Sequence, residues 1–195
     1  MRVIAGTAKG TRLKAPKGLA VRPTADRVKE ALFSIIAGQI PGCRFVDLFA
    51  GSGAVGIEAL SRGAARCFFV EKDSSNIKLI RENLELTGLA EKAEVIRNDA
   101  LRALKNMAAE NNKANLFFID PPYKSDLAGR AIEVIASEKL LAPGGLIVVE
   151  HAFKEQTWLE RFPQRRQKKY GDTALTFIDR LESDRQQSQN KQSPG

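Results

Sequence analysis

Hydrophobic and polar positions change period repeatedly along this chain, and the changes mark out alternating elements. Arg44 to Phe49 is a short apolar run leading into a glycine-rich turn and a helix to about Arg62. Arg66 to Glu71 is a second apolar run. Ser74 is placed to cap a helix with Ile77, Ile80 and Leu84 on one face, closed by Gly88. Glu94 to Arg97 predicts a third strand, followed by a helix from about Ala100 to Ala109. Asn115 to Ile119 predicts a fourth strand, with a helix near Leu127–Ser137 behind it. Pro143-Gly144-Gly145 then turns into a fifth strand, Leu146 to Glu150. Strands alternating with helices at this spacing imply βαβ units and a parallel sheet covered on both faces.

The two ends break this pattern. Residues 1–24 carry Gly6, Gly10, Pro16, Gly18 and Pro23, which reads as loops and short strands. Thr24 is a candidate cap for a helix whose apolar face is Val28, Leu32, Ile35 and Ile36, ended by Pro41-Gly42. Near the other end, a short helix is expected around Glu155–Arg161. Arg165–Tyr170 and Ala174–Ile178 then flank Gly171-Asp172 as a hairpin-like pair, so the last strand should run antiparallel. Residues 182–195 contain no large apolar side chain and read as a disordered tail. The expected organisation is a basic extension and leading helix over 1–40, one α/β domain over 41–181, and the tail.

Length agrees with a single domain: 195 residues fall short of the roughly 250 of a (β/α)₈ barrel. No apolar run approaches the ~20 residues of a membrane span, and no secretory leader is apparent, so the expected setting is the cytoplasm. Cys43 and Cys67 lie in no metal-ligand spacing, and no metal is expected. Charge changes the picture more. The net charge is +8, yet residues 1–30 carry +6, residues 154–170 carry +4, and the body between them is close to neutral. Basic residues gathered at the ends of a neutral body point to a polyanion, with Lys9, Arg12, Lys14, Lys17, Arg22 and Arg27 as candidate RNA contacts. A solvated surface that maintains solubility is the plainer alternative.

The candidate chemistry lies at the ends of the predicted strands. Gly51, Gly53 and Gly56 form G-x-G-x-x-G between a strand and a helix, with Glu71 at the end of the next strand. That combination is a nucleotide-cofactor fingerprint in which Glu71 can accept hydrogen bonds from two ribose hydroxyls. Asp47, at the mouth of the first strand, would repel a pyrophosphate but suit an ammonium or sulfonium. S-adenosylmethionine carries both and no phosphate, so it is favoured over NAD. Asn98-Asp99, after the third strand, suits the adenine amine, although an Asp there also serves as a helix cap. Phe49, Ser52, Lys72 and Ala100 complete the cofactor set.

Asp120-Pro121-Pro122-Tyr123 follows the fourth strand and shares the rim with that loop. Asp120 and the Pro121 carbonyl can each accept one N–H of a planar exocyclic amine, Pro122 stiffens the turn, and Tyr123 can stack on the base. Adenine N6, cytosine N4, guanine N2 and a glutamine amide all remain open to this geometry. His151, the lone histidine, reads as structural. An NAD-dependent oxidoreductase and a non-catalytic RNA-binding module are the rival readings from other classes.

With these residues assembled, the chain resembles the class I S-adenosylmethionine-dependent methyltransferases that act on amino groups. The stretches Arg22–Phe33 and Tyr170–Leu175 narrow the likeness to the RsmD family, the bacterial 16S rRNA guanine-N2 methyltransferases that modify guanine 966. The resemblance spans about residues 1–181. It implies a Rossmann-like α/β fold with a seven-stranded sheet in the order 3-2-1-4-5-7-6, strand 7 antiparallel. It also implies a monomer acting on 16S rRNA in an assembled or assembling small subunit. Only 72 residues follow Tyr123, which leaves no room for a separate target-recognition domain.

Overall fold

Seven strands form one sheet in the order β3-β2-β1-β4-β5-β7-β6. They are β1 (Arg44–Asp47), β2 (Arg66–Glu71), β3 (Ala93–Arg97), β4 (Ala114–Ile119), β5 (Leu141–Ala152), β6 (Arg166–Tyr170) and β7 (Thr173–Ile178). The first five run parallel; β7 is antiparallel to both β5 and β6. The computed structural model describes residues 1–16, 23–122, 125–154, 157–163 and 165–179, with only the backbone for 23–25. Lys17, Arg22, Tyr123 and the polar tail lie outside these residues.

Helices α1 (Pro23–Ile35), α2 (Ala54–Ser61) and α3 (Ser74–Thr87) cover one face of the sheet; α4 (Ala100–Ala109) and α5 (Leu127–Ser137) cover the other. The alternation of strand side chains sorts the core accordingly. Phe45, Phe69, Phe118 and Val148 pack under α1–α3, while Val46, Val70, Ile119 and Val149 pack under α4 and α5. Strands buried on both faces read as unbroken apolar runs, which is why they were legible. Gly56 lets α2 lie close on β2, because a Cβ there would come within 2.3 Å of the Phe69 ring.

Several expected boundaries move. α1 begins at Pro23, where a missing N–H is no loss, so Thr24 is its second residue and not its cap. Asp73, not Ser74, caps α3, its carboxylate accepting from Ser75 N and Asn76 N. The helix expected near Glu155–Arg161 is, among the described residues, a single 3₁₀ turn, Leu159–Arg161. Pro143-Gly144-Gly145 lies inside β5, at an irregularity where the pairing jumps from Ala114↔Leu141 to Leu116↔Leu146. The N-terminal stretch shares the core of the sheet: Val3, Ala8 and Leu13 are buried in the same cluster as α1–α3.

Candidate active site

A cleft of about 450 Å³ opens at the carboxyl ends of the parallel strands, where the sheet order reverses on either side of β1. It is lined by Phe49, Glu71, Lys72, Asn98, Asp99, Ala100, Asp120, Pro121 and Pro122, nine of the residues expected from sequence. Leu48, Val70, Asp73, Asn76 and Leu127 complete the wall. Among the described residues, four carboxylates thus face one cation, Lys72. A depression of similar volume, about 490 Å³, lies on the outer side of α3 and shares no residue with this cleft. It holds Glu82 and Glu85 but none of the residues expected from sequence, so the strand-end cleft is the candidate site.

The glycine loop stands beside the cleft, held to its wall by Glu71, but Gly51, Ser52 and Gly53 do not themselves line it. Gly51 has φ of +52° with open space where a Cβ would stand, and Gly53, at +78°, caps α2. Ser52 is nearly buried, and its carbonyl accepts from Asn83 Nδ2 at 2.9 Å. Glu71 braces the loop from across the cleft. Its Oε2 accepts from Gly51 N at 3.0 Å and Asn76 Nδ2 at 3.4 Å. Its Oε1 accepts from Lys72 N at 2.7 Å and Asp73 N at 2.9 Å. A carboxylate offers about four acceptor positions, and here protein donors take all of them. A ribose bound at Glu71 would have to displace some of these bonds, the long one from Asn76 first.

Asp47 does not reach the cleft wall. It is 2% exposed, behind the loop, and its Oδ2 accepts from Gly56 N at 3.0 Å. Burial, opposed in part by that N–H and reinforced by the charges of Asp120 and Glu71, raises its pKa to about 7. Its negative charge can act on a cation only across the loop. Asp99 caps α4 through Oδ1, which accepts from Leu101 N and Arg102 N. Both bonds fall on one oxygen, which leaves Oδ2 for an amine in the cleft. Asn98 Oδ1 accepts from Asp99 N and steadies this turn.

Asp120 follows the end of β4 and opens to the cleft. Crowding by protein on its inner side raises its pKa. Water in the open cleft offsets part of that push, and a base filling the cleft removes the offset. On the next strand Glu150 is raised as well, by burial and then by the charge of Asp120. Glu71, Asp47, Asp120 and Glu150 therefore stand at the ends of β2, β1, β4 and β5, four neighbours in the sheet. His151 points elsewhere and is structural: Nε2 lies 2.9 Å from Thr176 Oγ1, Nδ1 lies 2.9 Å from the Ala152 carbonyl, and Trp158 packs edge-on.

Among the described residues, none of the candidate RNA contacts lines the cleft. Lys9, Arg12 and Arg27 are exposed, and Lys14 Nζ is paired with Glu82 at 2.8 Å. What positions this basic stretch is a pair of buried polar residues that the sequence reading passed over. Glu58, fully buried, accepts from Ile4 N at 2.8 Å, Ala5 N at 3.0 Å and Arg62 Nε at 2.7 Å. Asn83, also fully buried, bonds the backbone of Lys14 in both directions as well as the Ser52 carbonyl. The available signal was a lone polar side chain on an otherwise apolar helix face.

The family described as conserved hypothetical protein 95 matches residues 1–179. This chain belongs to that family, the RsmD family. Ribosomal RNA small subunit methyltransferase D of Haemophilus influenzae is 38% identical over 151 residues, covering 77% of this chain and 78% of that protein. The protein of the same name from Escherichia coli K12 is 37% identical over 150 residues, covering 77% and 74%. A hypothetical protein of Thermus thermophilus superposes with a TM-score of 0.80 at 34% identity, over 92% of this chain and 99% of that one. Together with the sheet order, membership in the RsmD family makes this the class I methyltransferase fold.

Proposed function

We propose that this protein methylates the exocyclic N2 of one guanine, of the guanine-966 type, in 16S rRNA, with S-adenosylmethionine as donor. The substrate is the RNA within an assembled or assembling small subunit, and the enzyme works as a cytoplasmic monomer. The observation that carries this reading is the placement of Asp120-Pro121-Pro122 on the rim of an acidic cleft in an RsmD-family chain. Relatives named ribosomal RNA small subunit methyltransferase D supply the RNA substrate.

The cleft fits a cationic cofactor. Its walls carry Glu71, Asp73, Asp99 and Asp120, with Asp47 behind the loop, a set that repels a pyrophosphate. The bound cofactor supplies an electrophilic methyl carbon on a sulfonium. This chain's residues supply orientation and charge. Asp120 accepts one N–H of the amine and the Pro121 carbonyl accepts the other, while Tyr123 stacks on the base. Two successive prolines present no competing N–H and keep the turn rigid. Held at both N–H groups, the nitrogen turns its lone pair out of the ring plane. As the nitrogen becomes positive, Asp120 binds it more strongly, so its contribution falls in the transition state. The surplus proton leaves through Asp120 or to water.

Mass spectrometry of nucleosides from small-subunit RNA tests this reading. A strain lacking the gene should lose one N2-methylguanosine, restored by the wild-type gene and not by Asp120→Ala. In single turnover Asp120→Ala should be slower by about 10² or more, with cofactor affinity little changed. An unchanged N2-methylguanosine content in the deleted strain would overturn the proposal.

A further inference from the structure

Glu150 has no part in the reading so far. It does not line the cofactor cleft, and it lies on the opposite side of Asp120 from the glycine loop. Its placement is well defined. In the parallel β4–β5 ladder Ile119 pairs with Val149, so Asp120 and Glu150 are the next residues on neighbouring strands. Leu116 and Phe118 share a core cluster with Leu146 and Val148, so Glu150 continues the row that faces α1–α3. On its other side β5 is held by β7, with Glu150 opposite Leu175. A half-buried carboxyl group on a backbone fixed from both sides, one strand beyond the amine clamp, stands where a bound base must lie.

Resting on the N2-methyltransferase reading above, we propose that Glu150 is a specificity-determining residue that reads the N1–H and O6 of the guanine whose N2 amine Asp120 holds. Neighbouring strands are about 4.8 Å apart, comparable with the reach of a guanine edge from N2 to O6. The edge presents two adjacent donors, N2–H and N1–H, and then an acceptor, O6. Asp120 takes the first. A protonated Glu150 takes the other two, its carbonyl accepting from N1–H and its hydroxyl donating to O6. Burial and the facing Asp120 charge both favour that protonated form. Adenine and cytosine place a ring lone pair beside the amine and no donor beyond it. Either would leave the Glu150 carbonyl unpaired, which is how a hydrogen-bonding site rejects a near-isostere.

The test compares bases differing only at this edge. Small-subunit RNA is reconstituted with guanine, 2-aminopurine or 3-deazaguanine at the target position. 2-Aminopurine keeps the N2 amine but lacks N1–H and O6; 3-deazaguanine keeps all three and lacks only N3. Wild-type enzyme should methylate guanine and 3-deazaguanine about 10- to 100-fold better than 2-aminopurine, the range for a two-bond base contact. Glu150→Ala should lower the guanine rate to the 2-aminopurine level without a matching loss on 2-aminopurine. Glu150→Gln, which retains a carbonyl and a donor, should recover most of the preference. S-adenosylmethionine affinity by calorimetry reports folding, and Glu150→Met carries the same prediction should the alanine variant not fold. An undiminished preference in Glu150→Ala or Glu150→Met, an equal loss on both bases, or discrimination that follows N3 overturns the assignment. Absence of N2 methylation on every base by wild-type enzyme overturns the parent reading instead.

Discussion

Removing the Glu58 carboxylate should strip the basic N-terminal stretch from the body of the enzyme. Glu58 is fully buried in α2 and collects donors from three places: the backbone at Ile4 and Ala5, Arg62 one turn on, and Lys29 of α1 at 3.5 Å. Lys29 is itself only 5% exposed and also donates to the Arg2 carbonyl. Glu58→Ala leaves that ammonium buried without its counter-charge and two backbone N–H groups without acceptors. Breaking a buried pair from one side costs about 3–5 kcal/mol. For a chain of this size, roughly 2–4 °C per kcal/mol, Tm should fall by about 6–20 °C. Burial lowers the pKa of Lys29, and the facing Glu58 opposes that shift. With Glu58 gone the folded-state pKa drops further, so the folded protein binds fewer protons than the unfolded chain below pH 10.5. Stability then rises with pH, and the deficit of Glu58→Ala should shrink between pH 7 and pH 10. Lys29→Met on the same background removes the stranded charge and should recover at least about 1 kcal/mol in urea titrations. A Glu58→Ala deficit under 1 kcal/mol, or a double variant weaker than the sum of the two single ones, would refute this account.

Three further outcomes follow from the same geometry. Glu71→Gln should bind S-adenosylmethionine about tenfold or more weakly by calorimetry, because one amide end then faces N–H donors at Gly51 or at Lys72 and Asp73; wild-type affinity would remove Glu71 from the site. Asp47, raised to about 7, holds a proton in the folded state that the unfolded chain releases, so its contribution weakens stability as pH climbs from about 4 to 7. Asp47→Asn keeps an acceptor for Gly56 N, and its Tm relative to wild type should rise from pH 5 to pH 8; parallel Tm profiles would contradict the buried-charge assignment. Replacing Lys9 and Arg12 by Ala should reduce the salt dependence of RNA affinity by a slope of roughly 0.7–0.9 per lost phosphate contact, while Lys14→Ala, already paired with Glu82, should change it less.

How much of this was legible depended on how far each residue's partners lie along the chain. Four of the five parallel strands were readable from a buried apolar run, while β3, Ala-Glu-Val-Ile-Arg at the sheet edge, is mixed and was placed by the alternation of elements around it; α4 and α5 were placed at their observed ends because their apolar positions recur with helical period. The cleft was readable because the motifs fall after strands, and ligands bind beyond the carboxyl ends of parallel strands. Local signals failed where a residue had two plausible local roles. Asp73 took the cap from Ser74 because a carboxylate accepts two N–H bonds better than a hydroxyl. Pro143-Gly144-Gly145 was read as a turn although the chain bulges there without leaving the sheet. Locally, Glu58 and Asn83 show only as polar interruptions of buried helix faces, which does not name their partners in the N-terminal stretch, 54 and 69 residues away. Glu71 was placed correctly, but its four protein donors depend on how the turn after β2 curls, which spacing does not reveal.

The division of charge within the molecule is the remaining physical constraint on how RNA meets it. The sheet presents a row of carboxyl groups, Glu71, Asp47, Asp120 and Glu150, along four adjacent strand ends. The basic excess lies in the first 30 residues and in 154–170, and among the described residues none of these side chains lines the cleft. A cationic cofactor and the N–H donors of a base are attracted to the row; a phosphate is repelled by it. A phosphate held beyond a screening length of about 8 Å from the row no longer feels most of that repulsion, whereas one drawn into the cleft would feel all of it. On the proposed reading, base and backbone separate at this surface, the base entering the acidic rim and its phosphates remaining on the basic margin. A stacked, paired nucleotide cannot do this without being extruded. An unstacked base in folded RNA can, at far smaller cost. Asn83, joining the Lys14 backbone to the Ser52 carbonyl, ties the basic stretch to the glycine loop through one helix, so on that reading the two move as one body when the base and its phosphates part.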